Sequence, residues 1–371
     1  MADRGLLALP MHGEVKLRQE GYRTRDGHLL EWIGRLRPEL AVSVRSRPEP
    51  FPRVSLARRH GHANPAWDWQ SPQPLTVPPL RAKRAWWVRS LRHEPAAEGS
   101  YEAAIVWNPL AGAHLLAGPV HAERVVVDLL DDWSLHIAFE PVRDEVEQAY
   151  ARIFELADAI TANSEGTMRL AARFGRDAEL IPNGCDPEKF ALPGDRRGGG
   201  KTTVGYAGKL SERLDPELIV KTAAELPEVR FEIAGPFATA SRAESRRIRD
   251  VLKGPENIHL LGDVPYEDLP NLISAWDIGW VPHRVGAFEV GGDAIKIYEY
   301  RAAGLPVLTA AIIGTERAPA GVSVFEGVAG AIARIRRLTG ADPHPARIPI
   351  RLPDNMTWRA KASRLLELAG F

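Results

Sequence analysis

Hydrophobic and polar positions alternate in regular blocks along the C-terminal half of the chain. Short apolar runs such as "TTVGYAG" (202–208) and "VRFEIAGP" (229–236) are followed by segments of helical period, such as "DPELIVKTAAEL" (215–226). "SRAESRRIRDVLK" (241–253) and "AIKIYEYRAAG" (294–304) continue the series. Strands that alternate with helices predict a parallel sheet covered on both of its faces.

The N-terminal half begins with the same rhythm and then becomes harder to interpret. Its strand-like runs are "GLLALP" (5–10), "YEAAIVWNP" (101–109), "ERVVVDLLDDWS" (123–134) and "AITAN" (159–163). A polar loop over 11–28 is predicted to lead into a helix, "LLEWIGRL" (29–36). Residues 41–100 are rich in Pro, Arg and Trp and show no clear period, so we predict loops with short strands there.

The chain is predicted to form two Rossmann-like α/β domains. Ser164 is placed to cap the helix that Gly175 ends. The glycine-rich run "LPGDRRGGGKT" (192–202) has the composition of a linker. We therefore predict domains over 1–190 and 202–354, joined by a linker over 191–201.

Composition narrows the class of protein. The 371 residues carry equal numbers of acidic and basic side chains, but residues 1–100 hold 17 Lys/Arg against 10 Asp/Glu. Cys185 is the only cysteine, so the sequence predicts no intrachain disulfide and no cysteine metal cluster, as is usual in a reducing compartment. No apolar run approaches the roughly 18 residues that would span a bilayer. These features predict a cytoplasmic protein and leave contact with a membrane surface open.

Candidate chemistry lies just after the strands, because ligands of open α/β sheets bind at the carboxyl ends of the strands. With two such domains, the default site is the cleft between them. Lys209 and Arg213 follow the strand that ends at Gly208. A glycine allows close backbone approach, and two cations beside it suit a phosphate. The alternative is an ordinary charged surface loop.

Two further strand ends carry glycine. One is Gly235, which is followed by a proline, and the other is Gly262 in "HLLGDVPYEDL" (259–269). Val264 and Tyr266, just beyond Gly262, could line a nucleobase slot. A tyrosine packed in the first turn of a helix is an equally good interpretation.

The stretch "GGDAIKIYEYRAAGLPVL" is predicted to be a helix with a glycine-rich entrance. Gly291 and Gly292 precede the helix, and Asp293 could cap it. The amides of the first turn would then form an anion site. Lys296 and Glu299 share one helix face, so Lys296 suits a diphosphate and Glu299 suits hydroxyls such as those of a ribose. A solvated Lys–Glu pair is the alternative.

The order and spacing of several motifs resemble the retaining GT-B glycosyltransferases of the glycogen-synthase-like kind. The nearest subgroup is that of teichuronic-acid and polysaccharide biosynthesis, and the resemblance covers about residues 120–320. The motifs are "VVVDLLDDWS", "LADAITANSEGTMRLAARFG", "LIPNGCDPEKF", "VGYAGKLSERLDPELI", "FEIAGP", "NIHLLGDVPYEDLPNLISAWDIGWVPH" and "DAIKIYEYRAAGLPVL".

The resemblance implies that the C-terminal domain holds a nucleotide-sugar donor. Lys209 and Arg213 would bind its diphosphate and stabilise the leaving group, Glu299 would bind the ribose, and Lys296 would lie near the phosphate or the sugar. The loop over 288–293 would contact the sugar. The resemblance also implies that the anomeric configuration of the sugar is retained and that no metal or other cofactor is needed. In this class of enzyme the leaving phosphate would take the proton of the acceptor hydroxyl.

One departure from the family pattern leaves the donor sugar unidentified. Many relatives have two glutamates eight residues apart in this region, and the first would fall on Gly291. Glu289 lies close to that position but out of register.

The resemblance also assigns residues in the N-terminal domain, which would bind the acceptor. Asp131 falls where many relatives have a histidine or an acidic residue after a strand. Asp132 follows it, and neighbouring side chains of an extended segment point opposite ways, so Asp131 is preferred as the catalytic candidate. His12 and Gly13, after the first strand, could approach the donor diphosphate; a histidine without a role is the alternative.

The expected partners are a donor and an acceptor, the latter a glycan, a lipid-linked glycan or a small molecule. In this architecture a final helix, over 355–371, crosses back to the N-terminal domain. "LRAKRAWWVRSLRH" (80–93) combines basic residues with Trp86 and Trp87. That segment could meet anionic headgroups or, less readily, nucleic acid, and a basic helix with buried tryptophans is the alternative. A non-catalytic nucleotide- or glycan-binding protein and a nucleic-acid-modifying glycosyltransferase stay open as rival functions.

Overall fold

The computed structural model describes residues 5–61, 67–69, 83–91, 99–118, 120–190, 200–239, 241–286, 293–340, 342–347 and 352–371. The chain forms two compact units. The first comprises Met1–Pro182 and Trp358–Phe371, and the second comprises Asn183–Thr357. The chain therefore passes from one unit to the other twice, once in each direction.

The first unit is built on a parallel sheet. In the described residues its seven strands are β1 (Leu6–Leu9), β2 (Val42–Val44), β3 (Trp67–Trp69), β4 (Gly99–Val106), β5 (Val120–Leu129), β6 (Ala159–Ala162) and β7 (Glu179–Leu180). Their order in the sheet is β3-β2-β1-β4-β5-β6-β7, with every neighbouring pair parallel.

The helices of the first unit follow its strands. They are α1 (Glu14–Gln19), α2 (Arg25–Leu36), α3 (Phe51–His60), α4 (Lys83–Leu91), α5 (Pro109–Leu116), α6 (Arg143–Leu156) and α7 (Glu165–Arg173). A 3₁₀ helix of six residues, Ile137–Val142, leads into α6. Buried aliphatic residues of β1, β4 and β5 pack against α5 and α6 to form the core, as expected of a sheet covered on both faces.

The second unit repeats the plan with six strands among the described residues. They are β8 (Thr203–Ala207), β9 (Arg230–Ala234), β10 (Ile258–Gly262), β11 (Ile278–Val281), β12 (Val307–Ala310) and β13 (Val322–Phe325). The sheet order is β10-β9-β8-β11-β12-β13, again parallel throughout. The helices are α8 (Pro187–Phe190), α9 (Pro216–Ala224), α10 (Arg242–Leu252), α11 (Leu269–Ser274), α12 (Ile295–Ala302) and α13 (Gly327–Thr339).

Local sequence signals start and end several of these helices. The Ser164 side chain accepts a hydrogen bond from the backbone of Thr167 in a capping box, and Gly175 takes a positive φ of 69° after the helix. Asp215 and Ser241 cap α9 and α10 in the same way. These side chains satisfy amides that the helix itself leaves unpaired.

The last helix, α14 (Trp358–Ala369), belongs to the first unit. The ring of Trp358, fully buried, stacks on His28 of α2 with centroids 4.9 Å apart. The predicted first domain ran to residue 190, whereas the structure assigns Asn183–Phe190 to the second unit. The reason is local packing: Phe190 meets the ring of Tyr266 in that unit. Most of the predicted linker, 191–199, lies outside the described residues.

Two predictions of irregular structure are wrong. The polar loop over 11–28 contains α1. The segment 41–100 contains the predicted short strands, β2 and β3, but also the helices α3 and α4. α1 was missed because it has fewer than two turns, and it is held by tertiary contacts. The Glu14 carboxylate, buried in that helix, accepts hydrogen bonds from Arg18 at 2.8 Å and Arg58 at 2.7 Å.

Both sheets have their topological switch point in an equivalent place. The strand order reverses between β1 and β4 in the first sheet and between β8 and β11 in the second. Loops at the carboxyl ends of such strand pairs form the ligand site of a doubly wound sheet. No helix in the described part of the chain is long and apolar enough to cross a bilayer.

Candidate functional site

The loops after β8 and β11 are joined by backbone hydrogen bonds in the second unit. The Asp215 amide donates to the Pro282 carbonyl at 2.9 Å, and the Arg284 amide donates to the Arg213 carbonyl at 2.8 Å. These bonds hold Arg213 beside His283, the second residue after β11. Residues of both loops therefore lie side by side at the switch point.

Glycines shape the backbone edge next to these loops. The Gly208 amide donates to the Ala234 carbonyl at 2.9 Å, and the Gly235 amide donates to the Gly262 carbonyl at 2.6 Å. Gly235 has a φ of 140°, and a Cβ built there would lie 1.8 Å from the Gly208 carbonyl oxygen. A side chain is therefore excluded at Gly235, and the strand ends present bare backbone.

Lys296 brings a third cation to this edge from α12. Its Nζ lies 5.3 Å from the centroid of the Tyr206 ring, and a Cβ at Gly208 would lie 2.9 Å from its Cε. Burial lowers the pKa of Lys296 to about 8; the carboxylate of Glu299 opposes this, while the charges of Arg213 and Lys209 add to it. The charges of Arg213 and Lys209 therefore disfavour the charged form of Lys296, although burial is the larger cause.

The cluster of Lys209, Arg213 and Lys296 is suited to an anion with two charged centres. Lys209 is exposed, whereas Arg213 and Lys296 are half-buried. An anion placed among them would relieve their repulsion, and partial desolvation would strengthen each contact. The structure thus brings together all three basic residues that the sequence pointed to.

Glu299 lies one turn further along α12 and is buried, with 5% of its surface exposed. The hydroxyl of Tyr266 donates to its Oε1 at 3.2 Å. The alternative of a solvated Lys–Glu pair therefore does not describe this carboxylate. Tyr266 is half-buried, with its ring edge against Phe190 and the Lys189 ammonium 5.4 Å from its centroid, so the packed-tyrosine interpretation describes its ring.

The entrance to α12 differs from the prediction. The residue at the N-cap is Ala294, and no side chain caps the helix there. The Asp293 carboxylate instead accepts hydrogen bonds from the Asn183 amide and from the Tyr298 hydroxyl, and the Asn183 side chain donates to the Asp293 carbonyl at 2.7 Å. Asp293 thus links the start of α12 to Asn183. The predicted sugar-contact residues Glu289, Gly291 and Gly292 lie outside the described residues, while Val264 is half-buried against the core of the unit.

Two residues of this site were missed by the sequence analysis. The Tyr206 hydroxyl donates to the Lys209 carbonyl at 3.1 Å and lies 3.3 Å from Nε2 of His283. Burial holds the pKa of His283 well below its usual range, and the charges of Lys296 and Arg213 lower it further. The sequence signal for His283 was its position, two residues after β11, the strand next to β8 at the switch point.

In the first unit, His12 and Gly13 occupy the loop after β1. His12 is paired with the fully buried Asp26 through its Nδ1 at 2.9 Å, and its amide donates to the same carboxylate at 2.9 Å. Burial opposes ionisation of Asp26, but the pairing with His12 outweighs it and lowers the pKa of that carboxyl. A Cβ at Gly13 would lie 2.3 Å from the Glu49 carboxylate, which accepts the Val15 amide at 2.8 Å. The Glu49 carboxylate therefore packs directly against Gly13.

The adjacent aspartates after β5 differ in their surroundings. Asp132 is buried, accepts hydrogen bonds from the amide and hydroxyl of Ser134, and pairs with Arg173 at 3.2 Å. Asp131 is half-buried, and its carbonyl accepts the Tyr150 hydroxyl at 3.1 Å. Asp132 therefore has a structural role, and Asp131 is the more exposed of the pair.

A buried network around Asp128, near the end of β5, was also missed. Its carboxylate accepts two hydrogen bonds from Arg25 at 2.8 Å, one from the Trp107 indole at 2.7 Å and one from Thr161 at 2.6 Å. Arg25 also donates to the Pro182 carbonyl, at the point where the chain leaves the unit. The sequence did contain a signal for this network, a single aspartate inside the apolar run "VVVDLL". A charged residue in a buried strand requires hydrogen-bonding partners.

The basic segment 80–93 is described only over the helix α4. Trp87 is buried there, with its ring edge against Trp133 at 6.2 Å and Phe139 at 6.3 Å. Trp86 is half-buried. Trp87 is thus a core residue of the first unit, as the alternative interpretation of this segment expected.

Part of this chain is similar in sequence to known glycosyltransferases. Residues 201–338, which lie within the second unit, match the family model described as Glycosyl transferases group 1. TuaH of Bacillus subtilis (strain 168), whose name gives teichuronic acid biosynthesis as its provisional role, is 26% identical over 57% of this chain and 56% of its own. A D-inositol 3-phosphate glycosyltransferase of Mycobacterium sp. (strain KMS) is 28% identical over 52% of this chain and 44% of its own. The chain thus spans about half the length of these curated relatives.

Solved structures confirm the predicted GT-B fold of two Rossmann-like domains. Sucrose-phosphate synthase from Thermosynechococcus elongatus matches 98% of both chains with a TM-score of 0.70 and 18% identity. Anabaena HepE, solved in complex with UDP and glucose, matches 99% of this chain and 97% of its own with a TM-score of 0.66 and 14% identity. The family match thus concerns the second unit, and the solved structures show the fold of the chain.

Proposed function

We propose that the protein is a glycosyltransferase that moves a sugar from a nucleoside-diphosphate donor to an acceptor hydroxyl. The observation that carries the proposal is the cluster of Lys209, Arg213 and Lys296 at the switch point of the second unit. Each phosphate of such a donor carries negative charge, and the reaction adds charge to the leaving diphosphate. Fixed cations at that place stabilise the transition state more than the ground state.

In the proposed reaction the bond between the anomeric carbon and the diphosphate oxygen breaks. The acceptor oxygen bonds to that carbon, and its proton passes to the leaving phosphate. Lys209 and Arg213 hold the diphosphate, and Glu299 accepts hydrogen bonds from the ribose hydroxyls. The half-exposed Asp131 is retained as a candidate on the acceptor side. Because the side chains themselves supply positive charge, the proposal includes no metal.

Retention of anomeric configuration and the substrate classes are finer parts of this proposal. Retention is supported by the motif resemblance alone. Glycan or glycolipid synthesis is supported by the relatives named for teichuronic acid and inositol-phosphate glycosylation. The rival function is a nucleotide-binding protein without activity, and transfer or slow hydrolysis of a donor would distinguish the two.

A nucleotide screen tests the proposal. Nucleoside diphosphates should raise the melting temperature of the protein, because a ligand that binds only the folded state stabilises it by about 2.7 kcal/mol at 100 times its Kd. The matching nucleoside, without phosphates, should have little effect. With the base identified, donor sugars are screened for transfer in the presence and absence of EDTA, and NMR of the product gives its anomer. Binding without turnover of any donor would favour the non-catalytic rival, and loss of activity with EDTA would overturn the metal-free mechanism.

Binding of the diphosphate should weaken at alkaline pH. The Lys296 pKa of about 8 in the free protein means that the ammonium is present below this pH and lost above it. A bound diphosphate favours the charged form, so its association constant should fall by up to about tenfold per pH unit once the pH exceeds 8. Calorimetry between about pH 7 and 9.5, where the nucleotide phosphates stay ionised, measures the slope. Lys296→Arg, which stays charged throughout, should flatten the profile; an identical slope in that variant would remove Lys296 from the site.

A further inference from the structure

The Tyr206 side chain stands at the centre of the cation cluster, although it carries no charge. Tyr206 is the fourth residue of β8 and is buried, with 1% of its surface exposed. Burial raises the pKa of its phenol above the usual range, so the hydroxyl stays protonated. Its neighbours come from three elements: the loop after β8, the loop after β11 and the helix α12.

The direction of the hydrogen bonds around Tyr206 follows from proton counting. A phenol has one proton to donate, and that proton goes to the Lys209 carbonyl at 3.1 Å. The contact of 3.3 Å with His283 must then be donated by Nε2–H of the imidazole. His283 is neutral, because burial and two nearby cations lower its pKa. A chain of two hydrogen bonds thus runs from the loop after β11, through Tyr206, to the backbone of Lys209.

The ring of the same tyrosine faces the third cation. The Lys296 ammonium lies 5.3 Å from the ring centroid, within the range of a cation–π interaction. The imidazole of His283 meets the ring edge at 5.8 Å and 70°. One side chain therefore contacts the backbone of one cation and the charged end of another.

We propose that Tyr206 is a positioning residue, which sets the spacing of Lys209 and Lys296 for the donor diphosphate. The hydroxyl ties the two switch-point loops together, with His283 as its donor, and the ring seats the Lys296 ammonium. The role rests on the proposed function, since it concerns the same site. Neither Tyr206 nor His283 needs to contact the substrate.

Two substitutions separate the hydroxyl from the ring. Tyr206→Phe keeps the ring and removes both hydrogen bonds, so the affinity for a nucleoside diphosphate should fall roughly three- to tenfold, with its pH dependence unchanged. Tyr206→Leu also removes the ring, so the midpoint of Lys296 titration should move down by about one pH unit. Lysine ε-carbon NMR of the ligand-free protein, assigned with Lys296→Arg, measures that midpoint; Arg213, Lys209, Glu299 and His283 are the ionisable groups around it.

Variants of His283 distinguish loss of the hydrogen bonds from a general folding defect. His283→Gln keeps an N–H at the position of Nε2 and should retain affinity, whereas His283→Leu should lose as much as Tyr206→Phe. Since both substitutions break one path, the double variant Tyr206→Phe/His283→Leu should lose little more than either single one. Tyr300→Phe is the matched control, because Tyr300 is equally buried and its hydroxyl accepts the Ala207 amide at 2.7 Å. It should lower the melting temperature without changing affinity or the Lys296 midpoint.

The outcomes separate this inference from the proposed function. Unchanged affinity in Tyr206→Phe, or an unchanged or raised Lys296 midpoint in Tyr206→Leu, would overturn the positioning role. Additive losses in the double variant would overturn the hydrogen-bond path. If the wild type bound no nucleoside diphosphate, the proposed function would fail; inorganic pyrophosphate as probe and the ligand-free Lys296 titration would then still decide whether Tyr206 positions the cations.

Discussion

Lys209→Ala and Arg213→Ala should each lower the rate of sugar transfer by roughly 10- to 1000-fold, the scale for removing one preorganised stabilising group. The cluster of three cations loses one charge in each variant, while the leaving diphosphate still gains its charge in the transition state. Most of the loss should appear in kcat, because the interaction strengthens as the bond to the sugar breaks. Steady-state kinetics with the donor found in the nucleotide screen measures the effect.

Folding should not change in these variants, since Lys209 is exposed and Arg213 is half-buried. Lys221→Ala on α9 and Arg246→Ala on α10 are the matched controls, because both are exposed cations of the same unit. The controls should retain full activity, and all four proteins should melt within a few degrees of the wild type. Unchanged turnover in both site variants would show that Lys209 and Arg213 do not bind the leaving diphosphate.

The fold was predictable from sequence where periodicity was strong. The alternating runs after residue 200 identified β8, β9 and the helices α9, α10 and α12, because apolar strands of a parallel sheet and capped amphipathic helices leave clear signals. β13 and α13 extend the same sheet and were not identified. Between 41 and 100 the signals fail, since α3 and α4 have basic, Trp-containing or Pro-containing sequences without a clear period. Their helical state depends on tertiary contacts that no short window contains.

The candidate site was predictable only where a residue directly followed a strand or had a partner on the same helix face. Lys209 and Lys296 were found in this way. Tyr206 was read as part of an apolar strand, and its role depends on a histidine 77 residues away. Asp293 was read as a helix cap, but its partner Asn183 lies 110 residues away. Long-range pairings of this kind are set by topology, and one sequence does not contain them.

The second large effect concerns the return of the chain to the first unit. Trp358 is the first residue of α14, is fully buried and stacks on His28. Leu365 and Leu366, further along the same helix, are also buried. Trp358→Ala should lower the free energy of unfolding of the first unit by about 3–5 kcal/mol, the usual cost of removing a buried tryptophan side chain. For a unit of this size, that corresponds to a fall of roughly 6 to 20 °C in its melting temperature. Removing residues 355–371 should prevent the first unit from folding and abolish transfer.

Calorimetry with and without nucleotide assigns the two effects to their units. The second unit holds the whole cation cluster, so the transition that nucleotide stabilises should keep its midpoint in Trp358→Ala, while the other transition moves down. Arg359→Ala, at the next and exposed position, is the matched control and should change neither transition. A Trp358→Ala protein with both transitions unchanged, or a protein without residues 355–371 that transfers sugar at the normal rate, would mean that α14 contributes little to the first unit. Such a result would mean that the buried side chains of Trp358, Leu365 and Leu366 do not give the first unit the stabilisation that close packing in a core normally gives.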